Sequence, residues 1–282
     1  MQKRVLTIAG FDGSGGAGLQ ADLKTFSAFG CYGLSVLTAL PIQNTRGVRK
    51  CYELPTSAIV DQLEAIFDDI VIDAIKIGML FKREMIEAVA DFLARRAKSI
   101  PLVLDPVMVA GSGGTLLHPD GVKSLCKHLF PLTTVVTPNL PETAKITGHY
   151  PLNFLEMKKA AKKLLDFGSE AILVKGGHLS GDDSSDFYLH RSGAQKELRG
   201  TRVETENSHG TGCTLSAAIA ASLAQGLDLL ESCELSKAYL TQALKGARSW
   251  EIGKGSGPLH HFYHFQEPLA KIKEERVVQR ST

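Results

Sequence analysis

Short runs rich in β-branched and apolar residues alternate along the chain with segments whose apolar residues recur every three or four positions. That alternation restricts the fold to parallel strands joined by crossover helices. It predicts strands at residues 4–8, 33–41, 74–77, 102–105, 134–137 and 171–174, with helices at 17–29, 57–67, 83–97, 121–129 and 154–167. An open, doubly wound α/β sheet follows. After Gly177 the pattern shifts to two shorter β-like runs, 185–190 and 196–199, which predicts an antiparallel edge before a helix starting near Gly212. No internal repeat, low-complexity segment or Pro/Ser-rich linker divides the chain. The expectation is one domain over residues 1–266 and a separable basic tail, 267–282, carrying Lys271, Lys273, Arg276 and Arg280.

Composition narrows the classes of partner. With 282 residues and 44% hydrophobic content, a large core can be buried without staples. The 32 basic and 30 acidic residues nearly cancel, so no global field attracts nucleic acid, and none is expected as a partner. The basic run Lys158, Lys159, Lys162 and Lys163 reads as the solvated face of a helix. Five cysteines, an odd number without C-x-x-C spacing, argue against a disulfide framework or a zinc site and fit reduced thiols in a cytoplasm. The apolar run at residues 5–8 soon enters a glycine-rich stretch with Asp12, so neither a signal segment nor a membrane span is expected.

In open α/β sheets ligands bind beyond the carboxyl ends of the strands, and unusual chemistry stands at those positions here. Gly10 through Gly18 follows the first strand, Gln43-Asn44-Thr45 the second, Gly78-Met79 the third and Asp105-Pro106-Val107 the fourth. Asn139-Leu140-Pro141-Glu142 and Lys175-Gly176-Gly177-His178 follow the next two. The turn Asn207-Ser208-His209-Gly210-Thr211-Gly212-Cys213 opens a strong helix former. Its glycines let backbone amides converge, and those amides, added to the helix dipole, suit a phosphate or an oxyanion. By itself Gly-x-Gly before a helix is equally a packing device; a Walker A loop is absent from the chain. Cys213 lies in the first turn, where the dipole and Lys175 are expected to lower its pKa and make it a base; otherwise it is a small buried helix residue. His209 is expected to shape the turn or contact phosphate. A Cys213–His209 hydrolase is a rival reading, although no third group orienting the histidine is identifiable.

Taken with these turns, Ser14 through Thr25, Thr38-Ala39-Leu40, Lys76-Ile77-Gly78-Met79, Val103 through Met108, Val174 through His178 and Gly257 through Phe262 make the chain resemble the hydroxymethylpyrimidine (phosphate) kinases of thiamine biosynthesis, in the ribokinase family. The likeness spans nearly everything up to about residue 266. It implies a ribokinase-like three-layer α/β/α sandwich that phosphorylates 4-amino-5-hydroxymethyl-2-methylpyrimidine with ATP, then phosphorylates the monophosphate. It also implies a homodimer. By the same resemblance Gln43, Asp22, Gly10, Met79 and Val107 bind the pyrimidine. Lys175, Asp105 and His209 serve the ATP phosphates, Gly210, Thr211, Gly212 and Cys213 serve catalysis, and Asn139 and Glu142 hold Mg²⁺ through water.

Without the resemblance, Asp22 reads as the solvent face of a helix, Met79 as core, and Asn139 with Glu142 as a capping box. The wider ribokinase family usually has aspartate where this chain has Cys213, which narrows the acceptor class to pyrimidines or, as the nearest rival, pyridoxal. A pyrimidine-binding regulator without catalysis is a further alternative. Gly111-Ser112-Gly113-Gly114 reads as a flexible lid. His178 and the His260-His261 pair read as packing or loop hydrogen bonding ahead of a metal cluster.

Overall fold

The computed structural model describes residues 2–109, 116–118 and 120–265. In chain order the elements are β1 (Arg4–Ala9), α1 (Gly18–Ala28), β2 (Tyr32–Leu37), β3 (Ala39–Asn44), β4 (Gly47–Glu53), α2 (Thr56–Asp69), β5 (Ala74–Ile77), α3 (Arg83–Arg96) and β6 (Leu102–Leu104). There follow α4 (Gly121–Ser124), which runs on through a π turn, β7 (Val135–Val136), α5 (Leu140–Thr147), α6 (Phe154–Leu165), β8 (Ala171–Val174), β9 (Asp186–His190), β10 (Gln195–Leu198), α7 (Thr211–Ala224) and α8 (Leu229–Gly246). Eight strands form one sheet in the order β10-β9-β8-β7-β6-β5-β1-β2; all neighbours from β8 to β2 are parallel, and β9 and β10 are antiparallel.

The two-residue period of the strands sorts side chains between two cores. Leu6, Ile8, Ile75, Ile77, Leu102, Leu104, Val136, Ile172 and Val174 join α2, α3 and α6. Val5, Ala74, Val103, Val135, Ala171 and Leu173 join α1, α7 and α8 on the opposite face. Helices on both faces of a mostly parallel sheet make the expected three layers. The order in which strands are added reverses at β1, with β2 on one side of it and β5 on the other. That reversal opens the crevice in which doubly wound sheets bind ligands.

Three elements depart from the periodicity reading. The run predicted as one strand at 33–41 breaks at Thr38 into β2, in the main sheet, and β3, which leaves the sheet to pair with β4 as a separate hairpin. Thr38 hydrogen-bonds out of the strand instead, its amide donating to Ala9 O at 3.0 Å and its hydroxyl to Met79 O at 2.7 Å. The helices α5 and α8 also lie outside the predicted set. Asn139 caps α5 in a full capping box with Glu142, and Asp228 caps α8 through the Glu231 amide. The predicted lid at 111–114 and the tail at 267–282 lie outside the described residues.

Candidate active site

The residues after β1, β5, β6, β7 and β8, the hairpin, and the start of α7 surround one cavity of about 990 Å³. Of the predicted site residues, Gly10, Gln43, Met79, Asp105, Val107, Asn139, Glu142, Lys175, His209, Gly210, Thr211, Gly212 and Cys213 all line it. Asp22 does not. It is fully buried on α1, where both its oxygens bond the Lys76 ammonium at 2.9 and 2.8 Å and one accepts from the Thr7 hydroxyl at 2.6 Å. The expectation that it faces solvent is therefore corrected: Asp22 is fully buried against Thr7 on β1 and Lys76 on β5, and Lys76, not Asp22, lines the cavity.

At one end stands the anion turn. Gly210 precedes α7 with φ of 88°, and a Cβ there would meet the Gly16 carbonyl oxygen at 1.8 Å, so only glycine permits this backbone-to-backbone approach. No side chain caps α7, and among the described residues the Gly212 and Cys213 amides of its first turn have no backbone acceptor. Gly212 lies against the ion pair of Lys175 and Asp105, 2.7 Å apart, so positive charge and free amides share one corner. Glu142 lies beside that pair. Burial pushes its carboxyl up to about 7, against the opposing pull of Lys175.

Cys213 is half-buried at the cavity wall, beside the Gly18 backbone. The expected lowering of its pKa does not occur in the ligand-free protein. Burial pushes the thiol up to about 11, Lys76 draws it down, and Asp22 and Asp105 oppose that help. Lys175, expected to be the activating cation, is occupied by Asp105.

At the other end the hairpin supplies Gln43, at a register shift between Ile42 and Gln43. Such a bulge re-aims a side chain that a regular strand would place on the opposite face. Met79 is held by the Thr38 bond to its carbonyl, and its sulfur lies where a Cβ on Gly10 would touch it at 3.0 Å. His178 lines the cavity with its pKa lowered, chiefly by burial. His261 is 3.0 Å from the Thr214 hydroxyl, and burial pushes it down to about 4. Among the described residues no group of three His, Cys, Asp or Glu is placed to hold a metal.

Two buried charges escaped the motif reading. Lys76 has no exposed surface, yet it sits in an otherwise apolar strand, Ala74-Ile75-Lys76-Ile77, and that break in pattern was a usable signal. Burial alone would push its ammonium down; Asp22 outweighs this and holds it charged. Asp12 was visible only as part of a glycine-rich loop.

The arrangement is matched in known proteins. The family model for phosphomethylpyrimidine kinase covers residues 12–260. A hydroxymethylpyrimidine/phosphomethylpyrimidine kinase of Rhizobium meliloti is 49% identical over 261 residues, 92% of this chain and 97% of the relative. The crystal structure of a phosphomethylpyrimidine kinase from Clostridium difficile superposes with a TM-score of 0.75 at 43% identity, covering 86% of this chain and 100% of that one. Pyridoxal kinase from Staphylococcus aureus in complex with AMP-PCP gives a TM-score of 0.85 at 35% identity over 94% of this chain and 96% of that one. With an uncapped, glycine-built turn, a lysine beside it and a polar amide lining one cavity, and with identity of this extent over nearly the whole length, the chain belongs to the phosphomethylpyrimidine kinase family.

Proposed function

We propose that this protein transfers the γ-phosphoryl group of ATP to the hydroxymethyl group of 4-amino-5-hydroxymethyl-2-methylpyrimidine and then to the monophosphate so formed, in thiamine biosynthesis. The observation that carries this reading is that Gln43 and the Gly210–Cys213 turn line a single cavity. The Gln43 amide can both donate to and accept from an aminopyrimidine edge, and Gly10, Met79 and Val107 pack against the ring. Held this way, the ring directs its hydroxymethyl group toward the anion turn.

In the first transfer the acceptor oxygen bonds to the γ-phosphorus as the bond to the ADP oxygen breaks. The acceptor proton passes to the Cys213 thiolate. Charge that builds on the equatorial oxygens meets the Gly212 and Cys213 amides and Lys175, groups already in place and needing no reorganisation. Asp105 borders the same phosphates. Mg²⁺ suits the donors at this corner, since with ATP it needs only one or two carboxylates besides phosphates and waters. Glu142 and Asn139 would hold it through water, with Asp105 nearby, and when bound it would neutralise phosphate charge.

We also read the protein as a cytoplasmic homodimer whose kinase domain spans residues 1–266. Exposed Ile42 and Tyr52 on the hairpin are the support for a contact between copies.

A coupled ATP assay with the pyrimidine, its monophosphate and pyridoxal side by side tests the reading. Turnover on both pyrimidines should exceed that on pyridoxal; the opposite ranking assigns the chain to the pyridoxal branch represented by the S. aureus structure. Gln43→Ala should raise KM for the pyrimidine roughly five- to tenfold, the worth of one or so net hydrogen bond, with kcat little changed. An unaltered KM removes Gln43 from acceptor recognition.

A further inference from the structure

Asp12 is a fully buried carboxylate that no step above uses. Its Oδ1 accepts from the Ser14 amide at 2.9 Å and the Ser14 hydroxyl at 2.6 Å; its Oδ2 accepts from the Gly16 amide at 3.0 Å and the Ala17 amide at 2.8 Å. The same Oδ2 lies 2.8 Å from His209 Nε2, 197 residues away in sequence. The carboxylate thus collects the amides of one loop and ties that loop to the imidazole of another.

The turn at 207–213 carries the reacting groups, and the loop at 10–18 backs it. The first loop ends at Gly18, whose φ of 55° lets its backbone pack against the Gly10 carbonyl. The second carries the Gly212 and Cys213 amides and packs Gly210 on the Gly16 carbonyl. His209 is itself anchored, its amide donating to Gly257 O at 3.0 Å while its ring lies against Gly16. The two glycine segments have few side chains with which to hold one another, and among the described residues Asp12–His209 is the side-chain hydrogen bond that joins them. Although burial alone would raise Asp12, the bonds from His209, Ser14 and Ala17 hold it well below the ordinary carboxylate range.

We propose that Asp12 and His209 are positioning residues whose contact holds the 10–18 loop in register with the 209–213 turn, which carries both the Cys213 thiol and the anion-binding amides, with His209 Nε2 engaged by Asp12 in place of phosphate. The proposal rests on the kinase reading above and deepens it.

His209→Ala, assayed well below its melting temperature, should lose roughly 10- to 100-fold in kcat, the cost of a misplacement of about an ångström. KM for ATP and for the acceptor should stay within about threefold, because no ligand contact is removed. His209→Gln, whose amide can still donate to Asp12, should recover at least about threefold of the kcat lost by the alanine variant. Asp12→Asn combined with His209→Ala should be no worse than the poorer single variant by more than about threefold, as expected for residues acting as one unit. Independently of turnover, amide hydrogen exchange across residues 14–18 and 210–213 should accelerate at least about tenfold in His209→Ala and less in His209→Gln. An unchanged kcat, a KM for ATP raised tenfold at constant kcat, equal impairment of the alanine and glutamine variants, or unaltered exchange would each overturn the proposal. Wild-type protein inactive on all three acceptors would instead overturn the kinase reading, and the exchange measurement would still decide the positioning role.

Discussion

Replacing Cys213 with alanine should lower turnover on the hydroxymethyl acceptor at least tenfold, and up to the roughly 10²- to 10⁴-fold that a general base contributes. Turnover on the monophosphate should fall by no more than about threefold. The difference follows from the acceptors themselves. An alcohol must lose its proton as it attacks, whereas a phosphomonoester with a second pKa of about 6 is already a dianion at neutral pH and needs no base. It also brings negative charge toward Cys213, which favours the neutral thiol that burial already imposes.

The pH dependence separates the two steps further. The thiolate is the competent form, and with the thiol pushed up to about 11 its population grows as pH rises. Wild-type turnover on the alcohol should therefore climb between neutral pH and about pH 10, in proportion to the thiolate present. In Cys213→Ala that climb should disappear, and the monophosphate reaction should be flat above about pH 7 in both proteins. Steady-state kinetics of both variants on both acceptors measure this. Equal losses on the two acceptors would show that Cys213 acts through packing, and an unchanged alcohol rate would remove it from the mechanism.

Lys76→Met should be the most damaging change to stability. It leaves the Asp22 carboxylate fully buried with only the Thr7 hydroxyl as partner, and breaking a buried ion pair from one side costs about 3–5 kcal/mol. For a chain of this size that corresponds to a fall in Tm on the order of 10 °C. The Lys76→Met, Asp22→Leu double variant should recover most of the loss, because apolar packing can replace a buried pair at little net cost. Thermal unfolding of the three proteins is the measurement. A single variant melting within about 2 °C of wild type would mean that Asp22 is neutral and the pair contributes little. Lys76 also faces the α1 and α7 layer, where it draws the Cys213 thiol down, so the double variant should retain its fold but need higher pH for the alcohol reaction.

The layers of the sheet were legible because strand and helix periods are local. The strands 74–77 and 171–174 were read to the residue, and the β9–β10 edge to within one. The hairpin was not, since 33–41 is a continuous apolar run and its break at Thr38 is decided by hydrogen bonds to Ala9 and Met79, contacts from two other elements. The helix α5 was visible only through its cap, Asn139 with Glu142, because eight residues carry too little periodicity to register. For the site, most residues were recoverable because doubly wound sheets send every strand end to one rim.

Sequence by itself determined the order of the main-sheet strands and of most of their crossover helices, the glycine turn at 210–212 and most of the polar groups at the rim, all of which follow from local spacing and chain direction. Only tertiary structure decided their charges and alliances. Asp22 was claimed by Lys76 across 54 residues, Asp12 by His209 across 197, and Lys175 by Asp105 across 70. Burial, in turn, pushed the Cys213 thiol above its ordinary range. Ionisation depends on burial and on which charge lies within a few ångströms, and both are set by folded contacts that no neighbouring residue in the chain encodes.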